Sequence, residues 1–273
     1  MSGAPPAGNP AAATARGVAL EEHLRRASTG GRKLLVPYVT GGLREDWTEL
    51  LAAMVAAGAD AVEVGLPFSD PMMDGPTIQE ASTVALGRGT TPASVAAELR
   101  ATDVGVPLVV MTYANLVLRA GTRRFASEMA AAGVRGAIVP DLPLEESAEW
   151  EADAAAEGVE TVLLAAPVTP DDRLARLCAR SHGFVYGVNL MGVTGERRDL
   201  AASSAVLARR LKAHTDKPVI MGFGISAPEQ AVVAAREADG VVVASALMRM
   251  ALDGASPEQV GRRVAEFRAA LDA

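Results

Sequence analysis

A chain of 273 residues that is 49% hydrophobic is long enough for one large core, and its length suits two small domains or one α/β barrel. Its net charge of −7 argues against a nucleic-acid surface, and no apolar run reaches the roughly 20 residues needed to cross a bilayer. The lone cysteine, Cys178, excludes an internal disulfide and a cysteine metal cluster, and its apolar neighbours on an expected helix read as a buried structural thiol.

The N-terminus, MSGAPPAGNPAAATARG, is small, Pro-rich and without a hydrophobic signal core. Residues 1–16 therefore read as a disordered tail, and the cytoplasm is the expected location. An amphipathic helix is expected over 18–27, with Leu20, His23 and Leu24 on one face and Gly30 and Gly31 ending it. LLVPYVT, 34–40, is a continuous apolar run of strand length, and a helix follows with Leu50, Leu51, Met54 and Val55 as its stripe.

A unit then repeats. AAGADAVEV near Gly58, AAGVRGAIV near Gly133, AEGVETVLL near Gly158 and, more loosely, READGVVVA near Gly240 each read as a helix C-cap glycine, a short turn and a strand. Strands are expected at 34–40, 61–65, 107–113, 136–141, 161–166, 184–189, 218–223 and 240–244. Helices are expected at 45–57, 77–101, 122–132, 145–157, 169–180, 203–214, 227–236 and 256–271. Eight strand–helix units point to a single (β/α)8 TIM barrel with an extra N-terminal helix, spanning 17–273 with no linker. A doubly wound open sheet is the alternative, but it typically has fewer units.

A barrel places its active site at the C-terminal ends of the strands. Glu63, Tyr38, Tyr113, Asn115, Asp141, Tyr186 and Asn189 fall on that face, and Tyr113 is expected there as a substrate contact. Glu63 lies in an apolar strand, where desolvation raises a carboxyl pKa, and Asp74 follows on a Gly/Pro loop together with Asp70. Two carboxylates in unlike settings are a recurrent acid/base arrangement. On spacing alone a structural ion-pair role for Glu63 and a turn role for Asp74 stay open. Three segments after the last strands, Gly192 to Gly195, Gly222 to Ser226 and Val243 to Leu247, look like an anion site. Glycine lets backbone approach a ligand, and a short helix from Ser245 aims free N–H groups at it.

Some chemistry is excluded by position. A Schiff-base aldolase needs a lysine at the catalytic face. Lys33, Lys212 and Lys217 all lie before strands or on a helix. His23, His182 and His214 lie equally far from that face, so neither a histidine metal cluster nor a Ser-His-Asp triad can be assembled. What remains is acid/base chemistry by carboxylates on a phosphorylated substrate, in isomerases and lyases alike.

The segments PYVTGG, ADAVEVGLPFSDPMMDGPTIQ, MTYANLV, PDLPLEES, GVTGERR and GFGIS resemble the tryptophan synthase alpha chain, in order, from about Val18 to the C-terminus. The resemblance implies retro-aldol cleavage of indole-3-glycerol phosphate to indole and glyceraldehyde 3-phosphate without a cofactor or a metal. It implies that Glu63 is the general acid/base at indole C3 and the side-chain hydroxyl, and that Asp74 meets the indole N–H and stays ionised. It places Gly195, Gly224 and Ser245 at the phosphate, Tyr186 in the pocket, Tyr38, Met111 and Leu164 around the ring, and Thr194 on a closing loop. It also implies a beta chain as partner in an alpha2beta2 assembly. A stand-alone indole-releasing lyase, or a weakly active subunit that activates a beta chain, stays open. The departures are Ala244 for a usual phosphate-site glycine, Tyr38 for phenylalanine, GGLREDW after the first strand, Asn189 to Met191 before GVTG, and the bulky PMMDGP loop.

Overall fold

The computed structural model describes residues 18–188, 197–222 and 224–273. The tail expected over 1–16 lies outside them. Eight parallel strands close into one barrel in sequence order: β1 Leu34–Thr40, β2 Val62–Gly65, β3 Leu108–Met111, β4 Val134–Ile138, β5 Glu160–Ala165, β6 Val185–Val188, β7 Val219–Gly222 and β8 Gly240–Val243. Each strand pairs with the next, and β8 returns to β1 with Leu34 opposite Gly240. The expected fold class is the one observed.

Around the barrel run α1 Leu20–Ala27, α2 Trp47–Ala56, α3 Pro76–Gly87, α4 Pro92–Ala101, α5 Ala114–Ala120, α6 Thr122–Ala131, α7 Ala148–Ala156, α8 Asp171–Arg180, α9 Arg197–Lys212, α10 Pro228–Ala235, α11 Ser245–Leu252 and α12 Pro257–Asp272. Strand residues that point outward join one apolar layer with the helices, including Val62, Val64, Val110, Leu50, Met54 and Phe267. Those that point inward fill the barrel, Val36, Val109, Ile138, Val162, Ile220 and Val242, together with Phe184 just ahead of β6. Burying residues on both faces is why these strands read as continuous apolar runs.

Helix α1 closes the bottom of the barrel. Leu20 and Leu24 belong to the interior cluster. Gly136 and Gly183 make room for Leu20, whose Cδ2 would stand 2.5 and 2.6 Å from a Cβ at those positions. The helix has no side-chain cap of its own. Glu160 of β5 supplies one, its Oε2 accepting from Glu21 N–H at 2.8 Å. Buried Asp60 ties the same end together, accepting from Leu35 N–H at 2.8 Å and pairing with Arg32 and Arg268. With its bottom closed by α1 and its base fixed, the barrel's ligand cavity is expected at the strands' C-terminal ends.

Three local expectations are corrected. The helix expected over 77–101 is two, because Gly89 takes a positive φ of 82° and Thr91 and Ser94 form a capping box ahead of Pro92. The strand expected through Tyr113 ends at Met111, and α5 starts at once. Gly58, Gly133 and Gly158 are C-cap glycines with positive φ, as their sequence context predicts, but Gly240 is not. It lies inside β8, where a Cβ would come within 2.5 Å of Leu34 carbonyl oxygen.

Candidate active site

The C-terminal mouth of the barrel holds a cavity of about 300 Å³. Glu63 reaches it from β2, beside Tyr38 of β1, with which it is in register. Asp74 reaches it from the segment between β2 and α3, and Met111, Leu164 and Tyr186 from β3, β5 and β6. Gly224, Ala244 and Ser245 line the side beyond β7 and β8. The structure therefore brings together nine of the residues singled out in the sequence: Glu63, Asp74, Tyr38, Met111, Leu164, Tyr186, Gly224, Ala244 and Ser245. Thr194 and Gly195, and Asn189 beside them, lie outside the described residues.

Glu63 is 1% exposed, and its Oε2 has no hydrogen-bond partner among the described residues. Burial pushes its carboxyl up to about 8, with a further push from the charge of Asp74. At neutral pH it holds its proton. Asp74 is also pushed up by burial, to about 6, against a hydrogen bond from Tyr113 that favours the ionised form. It is thus more desolvated than a Gly/Pro loop suggests, yet still largely ionised at neutral pH. One proton donor and one carboxylate share a cavity, with their titrations on either side of neutrality.

Glycines make the room for two of the tyrosines. A Cβ at Gly65 would stand 1.8 Å from the Tyr38 hydroxyl, and one at Gly222 would stand 2.5 Å from that of Tyr186. Gly222, read from sequence as part of an anion loop, is therefore also a packing partner of Tyr186. Both phenols are pushed well above their ordinary value by burial and stay neutral. Tyr38 Oη accepts a hydrogen bond from Thr40 Oγ1 at 3.3 Å.

The far end of the cavity suits an anion. Gly224 has a φ of +47°, with open space where a Cβ would be. Gln230 Oε1 fixes the following turn by accepting from Ser226 N–H at 2.8 Å and Ala227 N–H at 3.2 Å. The first bonds of α11 run from Leu247 and Met248 N–H to Ala244 carbonyl, so the amides of Ser245 and Ala246 precede that ladder at the positive end of the helix dipole. Ala244 has a negative φ of −116°, so its backbone does not require the glycine usual there, and its methyl adds to the cavity lining.

Other residues on the face have structural work. Asp141 Oδ1 accepts from Ala114 N–H at 2.8 Å and so caps α5. Asn115 is exposed, and Asp70 is bonded to its neighbour Ser69 on the outside of the loop. Lys33 and Lys217 donate to the carbonyls of Ala238 and Cys178, away from the mouth. The cavity also draws on Met72, Met73, Ile78 and Pro140, which sequence reasoning did not single out as ligand contacts. The amphipathic stripe of α3 was the available signal for Ile78.

The tryptophan synthase alpha chain pattern matches residues 24–272, nearly the whole described barrel. The chain belongs to the tryptophan synthase alpha chain family. It is 44% identical over 259 residues to the tryptophan synthase alpha chain of Chloroflexus aggregans, covering 93% of this chain and 97% of that one. It is 43% identical to that of Halorhodospira halophila, over 93% and 96% of the two chains. Among solved structures, Mycobacterium tuberculosis tryptophan synthase superposes with a TM-score of 0.86 at 36% identity, over 93% of this chain and 98% of that one. Tryptophan synthase subunit alpha of Legionella pneumophila gives 0.82 at 32%, over 93% and 98%. Membership makes the chain a lyase of tryptophan biosynthesis.

Proposed function

We propose that this chain cleaves indole-3-glycerol phosphate with Glu63 as general acid/base and Asp74 as the ring-nitrogen partner. The observation that carries the reading is the pair of desolvated carboxyls on one cavity, one near 8 and one near 6. Protonated Glu63 delivers its proton to indole C3, and the ring becomes an indolenine cation with its positive charge at N1–H. Asp74, as a carboxylate, accepts a hydrogen bond from that N–H and balances the charge. Glu63, now a carboxylate, takes the proton of the hydroxyl on the adjoining side-chain carbon. That carbon becomes the aldehyde, the C–C bond breaks, and its electron pair returns to the ring. The products are indole and glyceraldehyde 3-phosphate, and Glu63 ends protonated as it began.

Met111, Leu164 and Tyr38 form the apolar walls for the ring, and Tyr186 stands between them and the phosphate end. Gly224, Ser245 and the backbone at Ala244 take the phosphate through amides and the dipole of α11. Residues 17–273 act as one catalytic domain. The partner is a tryptophan synthase beta chain in an alpha2beta2 assembly. No described helix is long and apolar enough to cross a membrane, and we place the protein in the cytoplasm.

Incubating the purified chain with indole-3-glycerol phosphate tests the reading. Indole and glyceraldehyde 3-phosphate are expected in equal amounts, at a rate that rises when a beta chain is added. Absence of both products, with and without the beta chain, would sink the proposal.

A further inference from the structure

Tyr113 is not on the cavity wall; it stands behind Asp74. Its hydroxyl makes two hydrogen bonds, donating to Asp74 Oδ2 at 2.9 Å and accepting from Met73 N–H at 3.1 Å. Its ring stacks on Phe68 with centroids 5.0 Å apart. Phe68, Met73 and Asp74 all belong to the segment between β2 and α3, so one side chain grips that segment at three points. Tyr113 is itself buried, and the next residue is anchored through its amide to Asp141.

The direction of the two bonds is fixed by chemistry. A phenol has one proton and an amide can only donate, so the phenol proton goes to the carboxylate. Asp74 also bonds through its backbone: its N–H donates to Pro71 carbonyl at 3.0 Å, and its carbonyl accepts from Gln79 Nε2 at 2.9 Å. Neither orients the carboxylate. The outer side of the segment is open, with Met72 78% exposed.

We infer that Tyr113 is a positioning residue, which aims the Asp74 carboxylate into the cavity and holds the segment between β2 and α3 in its working arrangement. The inference rests on the role proposed for Asp74. Facing Asp74 are Glu63 from β2, Tyr38 from β1 and Tyr186 from β6, with Asp141 next to Tyr113 from the loop after β4. Those groups act on Asp74 through space, whereas Tyr113 bonds to it. Without the phenol proton, the ionised carboxylate loses a partner that favours it and titrates at higher pH.

The test compares Tyr113→Phe, Asp74→Asn and the double variant on indole-3-glycerol phosphate, with the beta chain present and folding checked by thermal melts. Tyr113→Phe keeps the ring and its stack on Phe68. It is expected to lower kcat about tenfold with KM changed less than about twofold, because a misaimed group weakens the transition state more than the ground state. The low-pH limb of kcat is expected to move up by roughly half a unit or more. In the Asp74→Asn background, Tyr113→Phe is expected to change kcat less than about twofold, since residues acting as one unit are not additive.

Unchanged kcat and an unmoved limb in Tyr113→Phe, while Asp74→Asn is inactive, would overturn the inference and leave the role of Asp74 standing. Full activity in Asp74→Asn would overturn both. If Tyr113→Phe fails to fold, 3-fluorotyrosine placed at residue 113 keeps the shape and strengthens the donor. The limb is then expected to move down, and an unmoved limb overturns the inference.

Discussion

Glu63→Gln is expected to reduce kcat by roughly 10²–10⁴-fold, the usual contribution of a positioned general acid/base. The amide has nearly the shape of the acid, so the cavity survives, but it can neither protonate C3 nor take the hydroxyl proton. Steady-state kinetics on indole-3-glycerol phosphate checks this, and turnover within about tenfold of the parent would remove Glu63 from the role.

The same variant carries a stability signature of known sign. The folded-state pKa of Glu63 is raised from 4.5 to about 8. Between those values the native state binds the extra proton, so the parent loses stability as pH rises through that window. Glutamine does not titrate. The Tm of Glu63→Gln relative to the parent is therefore expected to improve from about pH 4.5 to about pH 8 and then level off, as linkage requires. A loss of activity without that pH-dependent gain would mean that Glu63 is not held protonated in the native chain.

Asp74→Asn is expected to lower kcat by roughly 10²–10³-fold, the scale seen when one charge-stabilising group is removed from a preorganised site. Asparagine keeps a hydrogen-bond acceptor for the ring N–H but no charge, so substrate binding is expected to change less than turnover. The loss is expected to appear with and without a beta chain, because Asp74 acts on the ring itself. Equal kcat in the variant and the parent would contradict the proposed charge balance, whereas a rise in KM alone would reduce Asp74 to a binding group.

The architecture was legible because a parallel barrel writes itself locally. Each strand buried on both faces is an apolar run, and the helices before β2, β4 and β5 end at Gly58, Gly133 and Gly158, all with positive φ. Glu63 stood out for the same reason, as a carboxyl inside such a run. The helix break before Pro92 was written in Thr91 and Ser94, but the apolar periodicity on both sides masked it. Other features depend on contacts between segments far apart in the chain. Gly65 and Gly222 are shaped by the hydroxyls of Tyr38 and Tyr186, and Gly240 by the backbone of Leu34. The desolvation of Asp74 and its bond to Tyr113 cross 39 residues of sequence. No local pattern carries that information, which is why Tyr113 reads from sequence as one more residue on the active face.

The most direct measurement is the pH dependence of kcat for indole release, from about pH 5 to about pH 9, by the parent chain with its beta chain. A bell is expected, with activity lost below about 6 as Asp74 takes a proton and above about 8 as Glu63 loses one. A profile flat across that range, or limbs unmoved by Asp74→Asn and Glu63→Gln, would contradict the assignment of the two carboxylates.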